Sequence, residues 1–210
     1  MFSLIGRMPA YGPSFALFLL SGVATLTLFT AGSGLVSGAV YGLRSSTRLA
    51  VIGLFHEAVA RTLFNLIVTV IYSAVLLFAI GALQRIDAAP HHVERVAAGF
   101  FWTALMGFGV GLLRGYATLF APVFERLYAI LSRVLLFVSG VFYMPSFMPP
   151  QLREWLVLNP VLHGVELVRL GLYDQYPTIV YAPDYLRGFA LGVTLLGVTL
   201  LWRRRAEVMG

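Results

Sequence analysis

The sequence has no cysteine and no lysine, and only 11% of its 210 residues are charged. The lack of cysteine excludes disulfides and thiolate metal sites. All fifteen basic residues are arginine, whereas a Walker phosphate-binding loop needs a lysine at the β and γ phosphates. The GxSxG and HExxH motifs of hydrolases are also missing. Catalysis by this chain alone therefore has little support.

The chain is rich in apolar residues instead: 59% are hydrophobic and the mean hydropathy is +0.85. Such values are typical of integral membrane proteins. A helix needs about twenty apolar residues to cross the hydrocarbon core, and about five segments qualify. These predicted transmembrane helices are residues 15–40, 62–83, 96–113, 127–144 and 186–202. We predict an all-α integral membrane protein in which residues 1–210 form a single transmembrane domain.

The arginines between these segments predict the orientation, because cytoplasmic loops carry the basic excess. If residues 1–14 are an external stub, nine arginines fall on the cytoplasmic side and six fall outside. The run from Arg203 to Arg205 directly follows the last predicted span. We therefore predict that the C-terminal tail, residues 203–210, is cytoplasmic.

Residues 145–176 interrupt the apolar pattern with prolines. Proline stops or kinks helices, and backbone polar groups at bilayer depth need partners within protein or beside water. We predict a re-entrant helical hairpin that dips into the membrane from the outer side and lines an internal path. The prolines that break it are Pro145, Pro149, Pro150 and Pro160. This pattern indicates transport rather than catalysis.

The hairpin contains an NPxxHxxExxR pattern made by Asn159, Pro160, His163, Glu166 and Arg169. The asparagine and proline predict a helix start, and the three-residue spacing places the polar side chains along one slowly drifting face. Three interpretations stay open. The row is structural, with Glu166 paired to Arg169 and His163 bonded to a carbonyl; or it is a gate that contacts a polar substrate; or it is a metal site, for which it has too few ligands.

Residues 41–61 are more polar than their neighbours and predict a short helix on the cytoplasmic surface. Its polar positions include Arg44, Arg48, His56, Glu57 and Arg61. It is either a plain interfacial helix anchored by snorkelling arginines or a docking element that takes up motion from a cytosolic motor.

Glycines recur at four-residue spacing in three places, a pattern that lets helices approach closely in lipid. Each ridge packs either within one bundle or at a subunit interface. The three sets are Gly34, Gly38 and Gly42, then Gly107, Gly111 and Gly115, then Gly188 with Gly192.

Several stretches together carry a family resemblance over nearly the whole chain. They are FLLSGVATLTLF at 18–29, FHEAVARTL at 55–63, FAPVFERL at 120–127, and SGVFYMPSFMPP at 139–150 with the NPxxHxxExxR pattern. The chain resembles the ABC type-two exporter permeases, in particular the branch that exports capsular polysaccharide. The SGVFY to NPxxHxxExxR module is the most specific part of this resemblance.

The resemblance implies a transport subunit, not an enzyme, in a bacterial inner membrane. Two copies would pair as a homodimer around a path for a polysaccharide, which a lipid carrier can accompany. The chain itself would need no cofactor, because ATP and Mg would bind a partner ATP-binding subunit. Membrane lipids and periplasmic export components are further expected partners, and no nucleic acid is expected.

The resemblance also implies residue roles. The segment around Arg44, Arg48, His56, Glu57 and Arg61 would match the family's coupling helix, and residues 145–176 would match its re-entrant gate helices. Aromatic rings stack on sugar faces, so we further expect the glycan to pass Phe137, Phe142 and Tyr143, although such rings are also common in interfacial belts.

The sequence departs from the family at its start, where an amphipathic interface helix and a complete first transmembrane helix are expected. Residues 1–7 look like only the external end of that first helix. A truncated gene model and a shortened protein both fit.

Two other functions stay open: a permease for a drug or small lipid-like molecule, which needs a narrower apolar cavity, and a membrane scaffold that associates with no ATPase.

Overall fold

The computed structural model describes residues 11–42 and 51–203, and within these ranges the regular elements are helices, with no strand. The α-helices are α1 (Phe15–Gly42), α2 (Val51–Gln84), α3 (Val93–Phe120), α4 (Val123–Val138), α5 (Pro150–Leu156), α6 (Pro160–Leu172) and α7 (Pro183–Arg203). A short 3-10 helix, Pro145–Phe147, precedes α5.

Four helices in the described ranges are long and apolar enough to cross a membrane: α1, the Gly53–Gln84 part of α2, α3 and α7. The helices α5 and α6 bend by 100° at a short break, so the pair is either a fifth, broken span or a re-entrant loop. This confirms the predicted class, an all-α membrane protein with four to five candidate spans.

The fourth predicted span, residues 127–144, differs from the helix observed there. Helix α4 runs over Val123–Val138 and has 16 residues, a length of about 24 Å, which is short for a core of about 30 Å. The helix ends because Gly140 has a φ of +69°, a left-handed conformation that glycine adopts at helix C-termini. Residues 139–144 are therefore not helical.

The structure also differs from the surface helix predicted at residues 41–61, because residues 51–61 are the first turns of a continuous α2. No glycine or proline interrupts the sequence between Gly53 and Gly81. The Glu57–Arg61 ion pair, 2.5 Å between Oε1 and Nη2, joins successive turns just before the predicted boundary at residue 61. Arg44 and Arg48 lie outside the described residues.

Helices α1 and α3 run parallel and form the centre of the bundle through glycine contacts. A Cβ added at Gly107 would lie 3.1 Å from the carbonyl oxygen of Phe29, and one at Gly111 would lie 2.8 Å from that of Ser33. Close backbone approach of this kind drives helix association in lipid. For this glycine ridge, packing within one bundle is confirmed.

The direction of each helix defines two ends of the bundle, which we name the Phe15 end and the Gly42 end. Helices α1, α3 and α7 run from the Phe15 end to the Gly42 end, and Gly109 of α3 packs against Thr194 of α7. Helices α2 and α4 run in the opposite direction, as their contacts with α1 and α3 below require. The alternation agrees with successive crossings.

Helix α2 lies at the periphery of the bundle, as α4 does. Only 11% of its most apolar stretch is buried, against 56% for α1 and for α3. Its exposed side chains are large and apolar, among them Leu63, Phe64, Ile67, Ile71 and Phe78. In a membrane such a face contacts lipid tails.

Candidate functional site: the re-entrant hairpin

The hairpin is built around a sharp bend between α5 and α6. Asn159 caps α6, since its Oδ1 accepts a hydrogen bond from the backbone N–H of Val161 at 3.1 Å, and Pro160 occupies the first helical position. Proline needs no N–H there and has the right φ already. The helix start predicted from the asparagine and the proline is confirmed.

The bend lies about halfway along the bundle. Val161, in the first turn of α6, packs in one cluster with Leu26 and Phe29 near the middle of α1 and with Met106 near the middle of α3. The last turn of α6 reaches the Phe15 end, where the backbone N–H of His92 donates to the carbonyl of Gly171 at 2.8 Å. Helix α6 therefore runs from the middle of the bundle to the Phe15 end.

Helix α4 ends at the same depth as this bend. The amide Nδ2 of Asn159 donates to Oγ of Ser139, the C-cap of α4, at 2.9 Å. From there the chain returns toward the Phe15 end: Val141 lies against Gly22, and Met144 joins the cluster of Leu17 and Phe18. Helix α5 then leads back to the bend. The segment enters and leaves at one end, which is the geometry of a re-entrant hairpin.

Glycines allow α6 to lie almost in backbone contact with α3. A Cβ added at Gly164 would be 2.4 Å from Oγ1 of Thr103, and one at Gly99 would be 3.1 Å from the backbone nitrogen of Val168. Nearly every residue of α6 is buried as a result. Sequence analysis did not single out these two glycines, because they lack the four-residue spacing.

Arg169 is fully buried and joins three segments of the chain. Its Nε donates to Oγ of Ser21 in α1 at 3.3 Å, and its Nη2 donates to the carbonyl of Val141 at 3.1 Å. The guanidinium carbon lies 3.7 Å from the ring centroid of Phe18, a cation–π contact. The arginine thus ties α6 both to α1 and to the non-helical segment after α4.

Glu166, also fully buried, is the counter-ion of this arginine. Its Oε1 lies 3.6 Å from Nη1 of Arg169 and accepts a hydrogen bond from the hydroxyl of Tyr176 at 2.9 Å. A carboxylate only accepts hydrogen bonds, so the Tyr176 hydroxyl is the donor in this contact. Glu166 Oε2 and Arg169 Nη1 have no hydrogen-bond partner among the described residues.

His163 holds the bend against the start of α7. Its Nε2 lies 2.8 Å from the carbonyl of Val157, and its Nδ1 lies 3.1 Å from the backbone nitrogen of Ala182. A carbonyl only accepts and a backbone N–H only donates, so the partners assign a neutral ring with the proton on Nε2. The ring also packs edge-on against Tyr185, with centroids 5.1 Å apart.

The polar row therefore has the geometry of the structural interpretation: His163 bonds a carbonyl, and Glu166 pairs with Arg169. All three side chains are at most 1% exposed, so none of them reaches a surface of this chain. Their role as gate residues stays a prediction. Among residues 11–42 and 51–203, no group of three or more His, Asp or Glu side chains could hold a metal ion.

The other predicted gate and aromatic positions spread over the hairpin. Pro145 is buried at the start of the 3-10 helix, whereas Pro149 and Pro150 are exposed at the start of α5. Two of the three predicted glycan-facing rings are exposed and meet, with the centroids of Phe137 and Phe142 6.2 Å apart. Tyr143 instead packs at the rim of the cluster formed by Leu156, Leu162 and Val180.

The predicted docking residues that the structure describes lie in the first turns of α2. His56 is exposed, and Glu57 is bound to Arg61. The Arg61 side chain turns toward α1, where its Nη1 donates to the carbonyl of Leu35 at 2.9 Å.

Sequence analysis missed a second polar cluster, near the Gly42 end. Arg114 of α3 donates through Nε to Oε2 of Glu125 at 2.9 Å and lies over the ring of Tyr128, 4.1 Å from its centroid. The Tyr128 hydroxyl is 2.6 Å from Oγ of Ser33 in α1. The cluster fastens α4 to α3 and α1. Its only sequence signal is a pair of opposite charges on either side of the turn at Pro122.

The fold and the hairpin define a class, an α-helical membrane protein with a re-entrant element that reaches mid-depth. No family model matches the chain. Three curated proteins are similar to it. The capsule polysaccharide export inner-membrane protein CtrC of Neisseria meningitidis is 24% identical over 186 residues. The polysialic acid transport protein KpsM of Escherichia coli is 25% identical over 198 residues. The capsule polysaccharide export inner-membrane protein BexB of Haemophilus influenzae is 29% identical over 113 residues.

The alignment with CtrC covers 89% of this chain and 70% of CtrC. The alignment with KpsM covers 93% of this chain and 75% of KpsM, and the alignment with BexB covers 54% of this chain and 43% of BexB. They confirm the resemblance found in the sequence: the chain is similar to inner-membrane proteins of the capsule-export branch of the ABC type-two permeases.

Proposed function

We propose that this protein is the transmembrane subunit of an ATP-driven exporter that moves a polysaccharide of the capsular type across the inner membrane. The observation that carries the proposal is similarity to CtrC and KpsM along 89% and 93% of the chain. The re-entrant hairpin supports it, because broken helices at membrane depth are a feature of transport paths.

In this proposal the energy comes from outside the chain. ATP and Mg bind a separate ATP-binding subunit, which docks at the Gly42 end on the segment 41–61. That end is cytoplasmic, in agreement with the arginine run at residues 203–205. Two copies of the permease pair around the path, and the exposed rings of Phe137 and Phe142 offer apolar faces to the sugars.

The hairpin acts as a gate whose internal bonds keep its shape. Arg169 and His163 fix α6 to α1 and to the start of α7, so the deep bend can move only with those helices. We expect the substrate to meet the exposed α5 and the 137–142 turn, and the buried polar row to hold them in place.

The test is reconstitution of the chain with the ATP-binding subunit encoded in the same gene cluster. We expect the two to co-purify and inverted membrane vesicles to take up capsular polysaccharide only with ATP. The matched control is a complex whose ATP-binding subunit binds ATP but cannot hydrolyse it. Uptake of a hydrophobic drug in place of the glycan would favour the small-molecule permease, and a chain that binds no ATPase would be a scaffold.

The docking assignment is tested by Arg48→Glu in the same complex. If the segment 41–61 binds an acidic surface of the ATPase, this charge reversal weakens co-purification. Unchanged assembly and unchanged ATP-dependent uptake would overturn the assignment of this segment as the docking element.

A further inference from the structure

Helix α2 is fastened to α1 by polar side chains that bind backbone carbonyls. We name the three contacts the carbonyl ladder. They are Arg61 Nη1 to Leu35 O at 2.9 Å, Asn65 Nδ2 to Leu28 O at 2.9 Å, and Tyr72 hydroxyl to Ala24 O at 3.4 Å. The donors advance along α2 while the acceptors recede along α1, as in an antiparallel pair.

The ladder matters because apolar packing of α2 is concentrated in its first turns, where Leu54 and Ala58 are buried against α1 and α3. Most of its apolar surface is exposed, and lipid tails are as apolar as its side chains, so water exclusion does not press α2 onto α1. A helical carbonyl has a second lone pair that can accept an additional donor. Asn65 is only 9% exposed, so its amide would be costly to leave without this partner.

Arg61 is the ladder contact nearest to the proposed docking segment. Glu57, one turn earlier, binds its Nη2 at 2.5 Å and orients the guanidinium toward α1. On the α1 side Gly38 leaves the space, since a Cβ added there would lie 3.3 Å from Nη1 of Arg61. The guanidinium is thus held between one carboxylate of its own helix and one carbonyl of the next.

We propose that the carbonyl ladder makes α1 and α2 one mechanical unit, with Arg61 as the positioning residue that passes movement of the docking segment to α1. The inference rests on the proposed function. It differs from the sequence prediction for Arg61, because the arginine acts toward α1 and not by contact with the ATP-binding subunit. Helix α1 then carries the movement to α3 and α6, which pack on it.

The first test compares Arg61→Met with Arg126→Met, a matched change at an exposed arginine of α4, in the reconstituted complex. Methionine has no N–H donor for the Leu35 carbonyl. We expect Arg61→Met to co-purify with the ATPase and to hydrolyse ATP as the parent does, while glycan uptake per ATP falls by about tenfold, the scale of a typical coupling energy. Arg61→Lys, which keeps a donor, should retain part of the uptake. Arg126→Met should behave as the parent.

A second pair of variants leaves the arginine in place. Gly38→Ala puts a methyl group 3.3 Å from Arg61 Nη1, whereas Gly34→Ala puts one at an ordinary 3.7 Å from Arg114 Nη1. We expect a lower uptake per ATP for Gly38→Ala than for Gly34→Ala, at equal assembly and equal melting temperature.

The outcomes separate the two proposals. Loss of assembly in Arg61→Met at an unchanged melting temperature would show that the arginine binds the partner, and unchanged uptake would show that it transmits nothing. Either result overturns the inference alone. A parent chain that neither binds the ATPase nor moves glycan would overturn the proposed function and the role of Arg61 with it.

Discussion

Helices α2 and α3 are both long and apolar and both pack on α1, yet they are attached by different means. Helix α3 approaches through glycines, with Gly111 almost touching the carbonyl of Ser33. Helix α2 packs Leu54 and Ala58 on α1 in its first turns and binds α1 along its length with the polar side chains of the carbonyl ladder. One attachment depends on shape, and the other depends on hydrogen bonds.

The difference teaches how a helix is held where water is absent. Close packing needs a small residue at each point of contact, such as Gly111 against Ser33 and Val36, and it buries the helix, as in α3. Side-chain hydrogen bonds do not need a row of glycines, and most of the apolar surface of α2 stays exposed to lipid. Helix α6 combines both means, with Gly164 against α3 and Arg169 bound to α1.

The largest expected effect comes from breaking the polar attachment of α6. Arg169→Met removes the bonds to Ser21 and Val141 and leaves the Glu166 carboxylate buried without its cation, so we expect a loss of about 3–5 kcal/mol in the free energy of unfolding. Denaturant titration in mixed micelles measures it. Adding Glu166→Gln should recover part of the loss, and a single variant as stable as the parent would contradict the assigned role.

A smaller effect is expected from the shape-dependent attachment of α3. Gly111→Val puts side-chain atoms where Val36 Cβ and the Ser33 carbonyl already lie, 2.6 and 2.8 Å from the added Cβ. Overpacking of this kind costs about 1–3 kcal/mol. The same titration measures the change. A neutral result would mean that α1 and α3 are not in backbone contact.

Each single hydrogen bond that attaches α2 should contribute less to stability than the Gly111 contact of α3. Asn65→Leu removes the donor to Leu28 but keeps a side chain of similar size, so we expect a loss of about 0.6 kcal/mol, the mean for such bonds in membranes. Asn65→Asp should cost more, because it buries a charge. If Asn65→Leu cost as much as Gly111→Val, the contrast between the two attachments would disappear.

The smallest effect is expected at Gly192 of α7, where a Cβ would meet no atom within 4 Å. Gly192→Ala should stabilise the isolated chain by up to about 1 kcal/mol, the difference in helix propensity. Size-exclusion chromatography of the same variant should show an unchanged oligomeric state. A destabilised or dissociated variant would place the Gly188 and Gly192 ridge at a subunit contact.

Much of the hairpin could be predicted from its sequence. Proline chemistry is local, so Pro150 and Pro160 each mark a helix start that the structure has. The end of α4 was not predicted, because apolar residues continue past Gly140 and only its positive φ stops the helix. The start of α2 at Val51 was also not predicted. The polar residues in its first turns suggest a separate surface helix, and only the structure shows that Arg61 faces α1.

The pairing of Glu166 with Arg169 follows from their three-residue spacing, but the distant partners of Arg169 had no signal in the sequence. Phe18, Ser21 and Val141 lie far from Arg169 along the chain and have ordinary hydropathy for a span. The glycine contact between Gly99 and α6 was equally hidden, because it joins residues 69 positions apart, at 99 and 168.

Composition and local chemistry alone determined the membrane class, the helical backbone and the proline breaks, because apolar runs without water require internally bonded helices and proline cannot continue one. Only the tertiary structure decided which helices are central and which distant segments the buried charges join. Both depend on which helix surfaces meet. In lipid, a glycine, a serine or a carbonyl oxygen holds two helices together only when the fold brings its partner within a few ångströms.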